Sequence, residues 1–546
     1  MGATLRALRA LVLLLGFYLL SLVLLAALAG VDVLVFSWGH GPLTAKVGFV
    51  TVLLAIPVVR GMLMLRTPKG EDPPGLPVTD TDEPRLWALV RELAAAAGTR
   101  APDRVLLTGE VNASVSEDPR LLGLLPGPRR LTLGVPLLTG LTEAQLRSVL
   151  AHEFGHFTGG DTRLSALVVR GRVQIGRVIG QFHAKADGKV AADRARQERA
   201  SAKRVAKGRK AKEIDTTGVG ATYRTMARIY TAYGKLYLRA SLSTARGQEY
   251  AADLTAARIA GRDATASALR EIPALSASHD FYLDSYATLG LHARLLPPRG
   301  EFFGGFGRLL SARGPEPAGP RAELPEMPEM PAGPYDSHPP IADRVRRIEA
   351  LPADGRTDEA RGAALALLTD PERTLGALED AVLLDELLAC PRAADWEDLL
   401  NASMAAGLST TRTPLHRALT AYTGQSATLA ALLDVIDDGR LWRLAERMPL
   451  SQEAAAAKGR AFREFVRPAL RRSLRTMVLA EFSSRSLLSW EFSWTSPAAV
   501  RLPGWDTRAA DDSPEAELDA ALEAAVADHP DTGRLRALLP PVIQNV

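Results

Sequence analysis

The sequence predicts an α+β fold that is predominantly α-helical: a two-helix transmembrane hairpin over residues 1–70, a central domain with a small sheet over 71–352, and a helical region over 353–546. Three observations carry this reading. Two long apolar runs open the chain, two short strand candidates lie at 104–108 and 130–135, and the C-terminal part is rich in alanine and leucine at helical spacing.

Apolar residues dominate positions 8–36, and the nearly unbroken run over 11–30 meets the roughly 20 residues needed to cross a hydrocarbon core. A second run covers 47–65, interrupted by Arg60 near its end, where a long side chain can snorkel to the interface. The short connection 32–46 makes the pair a hairpin. A cleavable signal peptide is the rival reading of the first run, since Arg6 and Arg9 precede it and Ala27-Leu28-Ala29 resembles a cleavage site. The run is longer than the roughly 7 to 15 residues of an ordinary signal core, which favours a span. Basic residues flank the outer ends of the hairpin (Arg6, Arg9, Arg60, Arg66, Lys69), whereas the loop carries only Lys46. Both termini are therefore expected on the cytoplasmic side of the plasma membrane, with the lipid bilayer as a partner. A single cysteine, Cys390, cannot form an internal disulfide and suits that compartment. Lys plus Arg at 66 against Asp plus Glu at 62 leave a net charge of +4, and no nucleic-acid-binding module is present, so nucleic acid is not an expected partner.

After an acidic, proline-containing linker over 71–81, Pro84 suits a helix N1 position, and Leu86, Leu89, Val90 and Leu93 make an apolar stripe ending near Gly98. Strand candidates follow at 104–108 and 130–135, with the Asn112 segment between them. Thr142 and Gln145 then form a capping-box pair, and Leu146, Val149 and Leu150 recur at helical spacing into Ala151-His152-Glu153-Phe154-Gly155-His156. Residues four apart share a helix face, so His152 and His156 can converge on one metal ion. Glu153 lies about 100° around the helix from His152, within reach of a water on that ion, which suits a general base. This His-Glu-x-x-His arrangement is that of zinc hydrolases with a zincin-like catalytic domain. The competing reading is an amphipathic core helix with two satisfied histidines.

A catalytic zinc usually takes three protein ligands and keeps one open position. The stretch from Arg246 to Asp253 reads as a second helix running to Gly261, with Glu249 and Asp253 on one face. One carboxylate can ligate while the other accepts a hydrogen bond from a ligating imidazole. A solvated acidic face is the alternative for this pair.

These residues carry a resemblance. His152-Glu153-x-x-His156 followed by Glu249-x-x-x-Asp253 resembles the HtpX-like membrane zinc endopeptidases, a family that also contains the CAAX prenyl proteases. Arg246 and Ala252 match its second motif, and residues 157–161 suit the positions directly after its first. Asn112-Ala113 resembles the start of the family's Asn-Ala-aromatic-Ala segment, an edge strand that pairs with peptide substrate, although Ser114 and Val115 replace the aromatic residue and the second alanine. Ser337-His338-Pro339 with Arg344 resembles a later motif, which implies that His338 and Arg344 approach the zinc and steady the oxyanion; on its own, a histidine beside two prolines reads as a turn residue. The resemblance covers residues 1–350.

Between the two motifs, 164–182 and 223–242 are amphipathic rather than continuously apolar, suiting helices on the membrane surface or packed over the site. The basic insertion 184–220 reads as a solvated loop or as a contact for anionic lipid headgroups. The proline-rich segment 313–340 reads as a semi-rigid connector. Residues 353–546 are long enough for a core of their own and show no metal or nucleophile motif; substrate recruitment, partner binding and shielding of the cleft all remain open for them.

The expected activity is hydrolysis of peptide bonds in protein or peptide substrates, membrane proteins among them. One Zn2+ per chain is held by His152, His156 and Glu249, Glu153 is the general base for its water, and Asp253 orients a ligating imidazole. The alternative is a membrane-anchored interaction protein with a structural zinc and a helical binding surface. Structural sites favour cysteine, and Cys390 lies far from the motif.

Overall fold

A computed structural model describes residues 3–39, 41–63, 74–117, 127–158, 162–211, 213–314, 339–355, 362–501 and 514–539. His338 and most of the proline-rich segment lie outside these residues. The chain divides into two compact units, residues 1–276 with 325–371 and residues 277–324 with 372–546.

In the first unit, helices α1 (Ala3–Ser37) and α2 (Pro42–Leu63) pack together, and the Thr51 hydroxyl donates to Asp32 Oδ2 at 2.7 Å. Among the described residues, only α1 contains a stretch long and apolar enough to cross a membrane, Leu15–Ser37; the apolar stretch of α2, Thr44–Val59, is shorter. The two are joined by α6 (Thr162–Val205) and α7 (Ala221–Ala260) around a shared core of Phe17, Leu54, Val58, Val178, Phe182 and Tyr230. Much of the basic insertion read as a loop is thus helix. Its Ala, Arg and Lys content has high helix propensity, and α6 propagates from the turns that Val178, Phe182 and Ala186 bury.

Helix α3 (Pro84–Ala96) buries the expected stripe and starts with proline in its first turn. A four-stranded sheet among the described residues runs in the order β1-β2-β4-β3, with β1 Leu76–Val78, β2 Arg104–Thr108, β3 Ala113–Glu117 and β4 Arg129–Gly134. Strand β1 lies inside the segment expected to be a linker, and pairs antiparallel with β2. Strands β2 and β4 are parallel, and β3 is an antiparallel edge strand in the register Ala113↔Leu133. Gly134 secures the start of β3: its N–H donates to the Asn112 carbonyl at 2.7 Å, and a Cβ there would meet the Glu110 oxygen at 1.8 Å.

After the short α4 (Val135–Gly140), α5 (Glu143–Gly155) opens with the capping box read from the sequence. Gln145 N donates to Thr142 Oγ1 at 3.2 Å, and Thr142 N to Gln145 Oε1 at 2.9 Å. The free end of that amide donates to Ser267 on α8 (Arg262–Tyr282) at 2.7 Å. Helices α5 and α7 cross where a Cβ on Gly155 would sit 2.9 Å from Ala252 Cα and 3.2 Å from Thr255 Cβ. Only a residue without a side chain allows this approach.

The second unit holds α9 (Glu301–Arg313) and the helices from Pro371 to Leu538, around Leu432, Leu433, Leu444, Leu470, Leu474 and Leu522. By packing, 277–314 joins these helices rather than the central stretch with which the sequence grouped it. The reason is specific: the Phe302 N–H donates to the buried Glu379 at 2.8 Å, and Leu296 pairs through its backbone with Pro391 and Ala393.

Gly155→Val forces α5 and α7 apart. It is expected to cost about 1–3 kcal/mol, seen as a lowered thermal midpoint; an unchanged midpoint would contradict the close crossing.

Candidate metal centre

Three helices supply the site. α5 presents His152, Glu153 and His156 at its C-terminal end, α7 presents Glu249 and Asp253, and α10 (Ile341–Glu349) presents Arg344. Because α7 is held against α5 at Gly155, the i, i+4 carboxylates of one helix face the i, i+4 imidazoles of the other.

The nitrogens His152 Nε2 and His156 Nε2 are 3.2 Å apart. Glu249 Oε2 is 3.7 Å from the first, and Glu249 Oε1 is 3.7 Å from the second. Ligands bonded at about 2.0–2.1 Å in a tetrahedron stand about 3.3 Å from one another, so this triangle has the size a zinc-like ion needs. The donor set fits as well: two imidazoles and a carboxylate are borderline-to-hard ligands.

Asp253 does not join the triangle. Its Oδ1 lies 3.0 Å from His152 Nδ1, which leaves Nε2 of that ring aimed at His156 and Glu249. Arg344 grips the same carboxylate from the other side, Nε to Oδ2 at 2.9 Å and Nη2 to Oδ1 at 2.6 Å, and its Nη1 is 3.6 Å from Glu249. Resemblance implies an oxyanion role for Arg344; in the fold, two of its donors are engaged by Asp253, where a planar guanidinium matches a carboxylate bidentately. Burial pushes the Asp253 carboxyl up, but its hydrogen bonds to Arg344 and His152 outweigh this and hold it below the usual range. The Arg344 guanidinium is likewise held charged by Asp253 against the cost of burial.

Glu153 behaves oppositely. Burial, reinforced by the charge of Glu249, raises its pKa from the ordinary 4.5 to about 7, despite the opposing pull of His152 and of a hydrogen bond from the Val115 backbone. That bond comes from the edge strand. Gly134 N–H to Asn112 C=O marks Asn112 as facing β4, so in an antiparallel ladder the backbone groups of Ala113 and Val115 point away from the sheet and toward the cleft.

A cavity of about 440 Å³ connects these parts, lined by Asn112 and Ala113, by the metal cluster, and by Leu137, Val149, Ala268, Leu269 and Ile272. The sequence reading brought together His152, Glu153, His156, Glu249, Asp253, Arg344, Asn112 and Ala113. It missed Val115 as the partner of Glu153, and it missed α8 altogether. The spacing of Thr265, Ala268, Leu269 and Ile272 is a helical stripe that the sequence contains but that nothing tied to the site.

Residues 80–351 match the model of peptidase family M48. A curated relative, described as "Protease HtpX homolog" of Syntrophobacter fumaroxidans, is 24% identical over 280 residues, covering 50% of this chain and 79% of that protein. No solved structure matches the chain.

Removing the Asp253 carboxylate frees the His152 ring and strands Arg344. Asp253→Ala is expected to weaken metal retention about 10–100-fold, measured by competition with a chelator. The Glu153 shift has its own signature in metal-stripped protein. Its protonated form is the one folding favours, so its contribution to stability is full below pH 4.5 and is lost as pH rises through about 7. Glu153→Gln should therefore match the native midpoint at acidic pH and exceed it above neutrality; a pH-independent difference would contradict the shift.

Proposed function

Because the chain belongs to peptidase family M48, we propose that it is a membrane-anchored, zinc-dependent endopeptidase that hydrolyses peptide bonds of protein or peptide substrates. The observation that carries this reading is the triangle of His152, His156 and Glu249 beside the buried carboxyl of Glu153. Among the described residues the cluster has three donor groups, the number typical of a catalytic rather than a closed structural zinc.

One zinc per chain is assigned to His152, His156 and Glu249. When bound, it polarises the substrate carbonyl and acidifies a water, and its charge draws the Glu153 pKa back down. Glu153 accepts the proton of the attacking water and delivers it to the departing amine, the two halves of general acid–base catalysis. Asp253 accepts the Nδ1–H of His152 and fixes its tautomer, and Arg344 keeps Asp253 ionised and in place. The oxyanion role is assigned to His338 with the remaining donor of Arg344, on the resemblance of their motif. The substrate lies extended along β3, pairing with the outward backbone groups of Ala113 and Val115 and taking the place of Glu153 on the Val115 N–H. Asn112 sits at the entrance of that strand.

α1 is assigned as the membrane anchor, with α2 beside it, since its outward face carries Leu15, Leu19, Leu22, Val23, Val33 and Leu34. The flanking arginines support a cytoplasmic position for the metal centre at the plasma membrane.

The test uses the full chain in detergent or vesicles with an unfolded protein such as casein. Wild type is expected to cleave in a chelator-sensitive manner. Glu153→Gln should keep its zinc by metal analysis and lose turnover by about 100-fold or more. Undiminished cleavage by that variant would overturn the assignment.

A further inference from the structure

A cavity of about 690 Å³ lies between α2 and α6 and shares no lining residue with the metal cluster. α2 lines it with apolar groups alone, Phe49, Leu53, Ile56 and Pro57. α6 lines it with two cations, Lys185 and Lys189, one turn apart, and with the small residues Ala184 and Gly188 beside them. A Cβ at Gly188 would meet nothing within 4 Å, so the space there is open. Phe49 is 65% and Ile56 42% exposed, and the groove therefore opens onto the surroundings of the helices. Lys46, exposed on α2, precedes Phe49 by three residues and Leu53 by seven, which sets a third cation on the same helix face toward the hairpin loop.

Helix register sets the depth of this groove along α1. The Tyr18 hydroxyl lies 3.4 Å from Gln174 Oε1, the Ser21 hydroxyl lies 3.0 Å from that of Tyr230, and Phe182 stacks on the Tyr230 ring. α1 and α6 therefore ascend together, and Lys185 and Lys189 lie about 5 and 10 Å beyond the level of Ser21, beside the loop-side half of the apolar run 11–30. An ammonium group at that depth needs an anion. No carboxylate is among the described residues that line the groove, and neither lysine has a salt bridge among the described residues. Asp187, two positions from each lysine, belongs to another face of α6. Asp193, four residues after Lys189, is engaged by Arg196 and Gln197, both at 2.7 Å. Lys189 stands instead 5.8 Å over the Tyr223 ring, which stabilises a cation without neutralising it.

We propose that this groove binds one anionic phospholipid from the surrounding bilayer, with its phosphate against Lys185 and Lys189 and an acyl chain along Phe49, Leu53 and Ile56. The proposal rests on the assignment of α1 as a membrane anchor and is independent of the peptidase reading. Cations and apolar surface meet in one cavity, so a free phosphate leaves the α2 residues uncovered and a neutral lipid leaves the lysines without an anion. An anionic amphiphile satisfies both. The volume lies within the range of about 300–1,000 Å³ usual for small-molecule sites, and continuity with the exposed apolar face of α2 gives a lipid a lateral path into it.

The experiment takes the full chain in detergent, adds phosphatidylglycerol or phosphatidylcholine, and counts the lipids retained per chain by native mass spectrometry. Wild type is expected to retain phosphatidylglycerol about tenfold more readily than phosphatidylcholine, the scale of two lysine–headgroup contacts. The double variant Lys185→Gln, Lys189→Gln should lose that preference. Gly188→Leu fills the groove, keeps both charges and favours the helix, and should also lower retention of phosphatidylglycerol. A merely basic surface responds to the first variant and not to the second, so the pair separates a groove from general attraction. Equal retention of the two lipids by wild type, or a preference that Gly188→Leu leaves unchanged, overturns the site and leaves the anchor standing. Full displacement of the lipid by glycerol phosphate assigns the groove to a soluble anion, and a lipid-free dimer that Gly188→Leu disperses assigns it to a second copy of the chain; either overturns the proposal. A chain that stays soluble and monodisperse without detergent overturns the anchor, and the lipid site with it.

Discussion

The structure turns on a charge imbalance among the described residues of one cluster. Glu153, Glu249 and Asp253 are gathered around two imidazoles with a single guanidinium, Arg344, to oppose them. With all three acids ionised, two negative charges remain in a desolvated space, and burying uncompensated charge is expensive. Asp253 meets this constraint by pairing with Arg344 and His152. Burial, with the charge of Glu249, outweighs the pull of His152 and Arg344 on Glu153, so its carboxyl is driven up to about 7. A divalent cation in the triangle would balance the set and leave Glu153 ionised at neutral pH, the state a general base requires. The donor spacing and the electrostatics of the cluster thus both suit a cation.

The crossing of α5 and α7 assembles the cluster in space. Neither helix carries a complete site, and the residues that supply it lie nearly a hundred positions apart. Gly155 brings them together by giving Ala252 room at 2.9 Å, and it sits between the two histidines. The capping box at Thr142 fixes where α5 starts, and Gln145 ties that first turn to α8, so the helical phase of His152, Glu153 and His156 is set from the N-terminal end. A phase error of one residue would rotate one of these side chains by about 100° away from the cluster.

Much of this arrangement was legible from residue order. The i, i+4 spacing put both imidazoles on one face, the second i, i+4 pair supplied the acids, and β2 and the capping box lie where pattern and cap chemistry placed them. The features that were not legible depend on tertiary partners. Three residues of an apparent linker become β1 because β2 leaves an edge open to them. Helix α6 runs to Val205 because α1, α2 and α7 bury its first half, and an Ala, Arg and Lys sequence then continues as helix at little cost. Arg344 was noticed for the right locality, but its pairing with Asp253 depends on how α10 docks, which no local pattern encodes.

The replacement of the aromatic and alanine by Ser114 and Val115 illustrates why a motif mismatch need not alter a site. In an antiparallel edge strand, recognition by pairing uses backbone N–H and C=O groups at alternate residues, and these are the same for every non-proline residue. Side chains at those positions decide only what packs above and below the strand. Here the register with β4 leaves the backbone of Ala113 and Val115 facing the cleft, and the Val115 N–H already reaches an acceptor there in Glu153. The outward backbone groups of the strand are therefore unchanged by the replacement of those side chains.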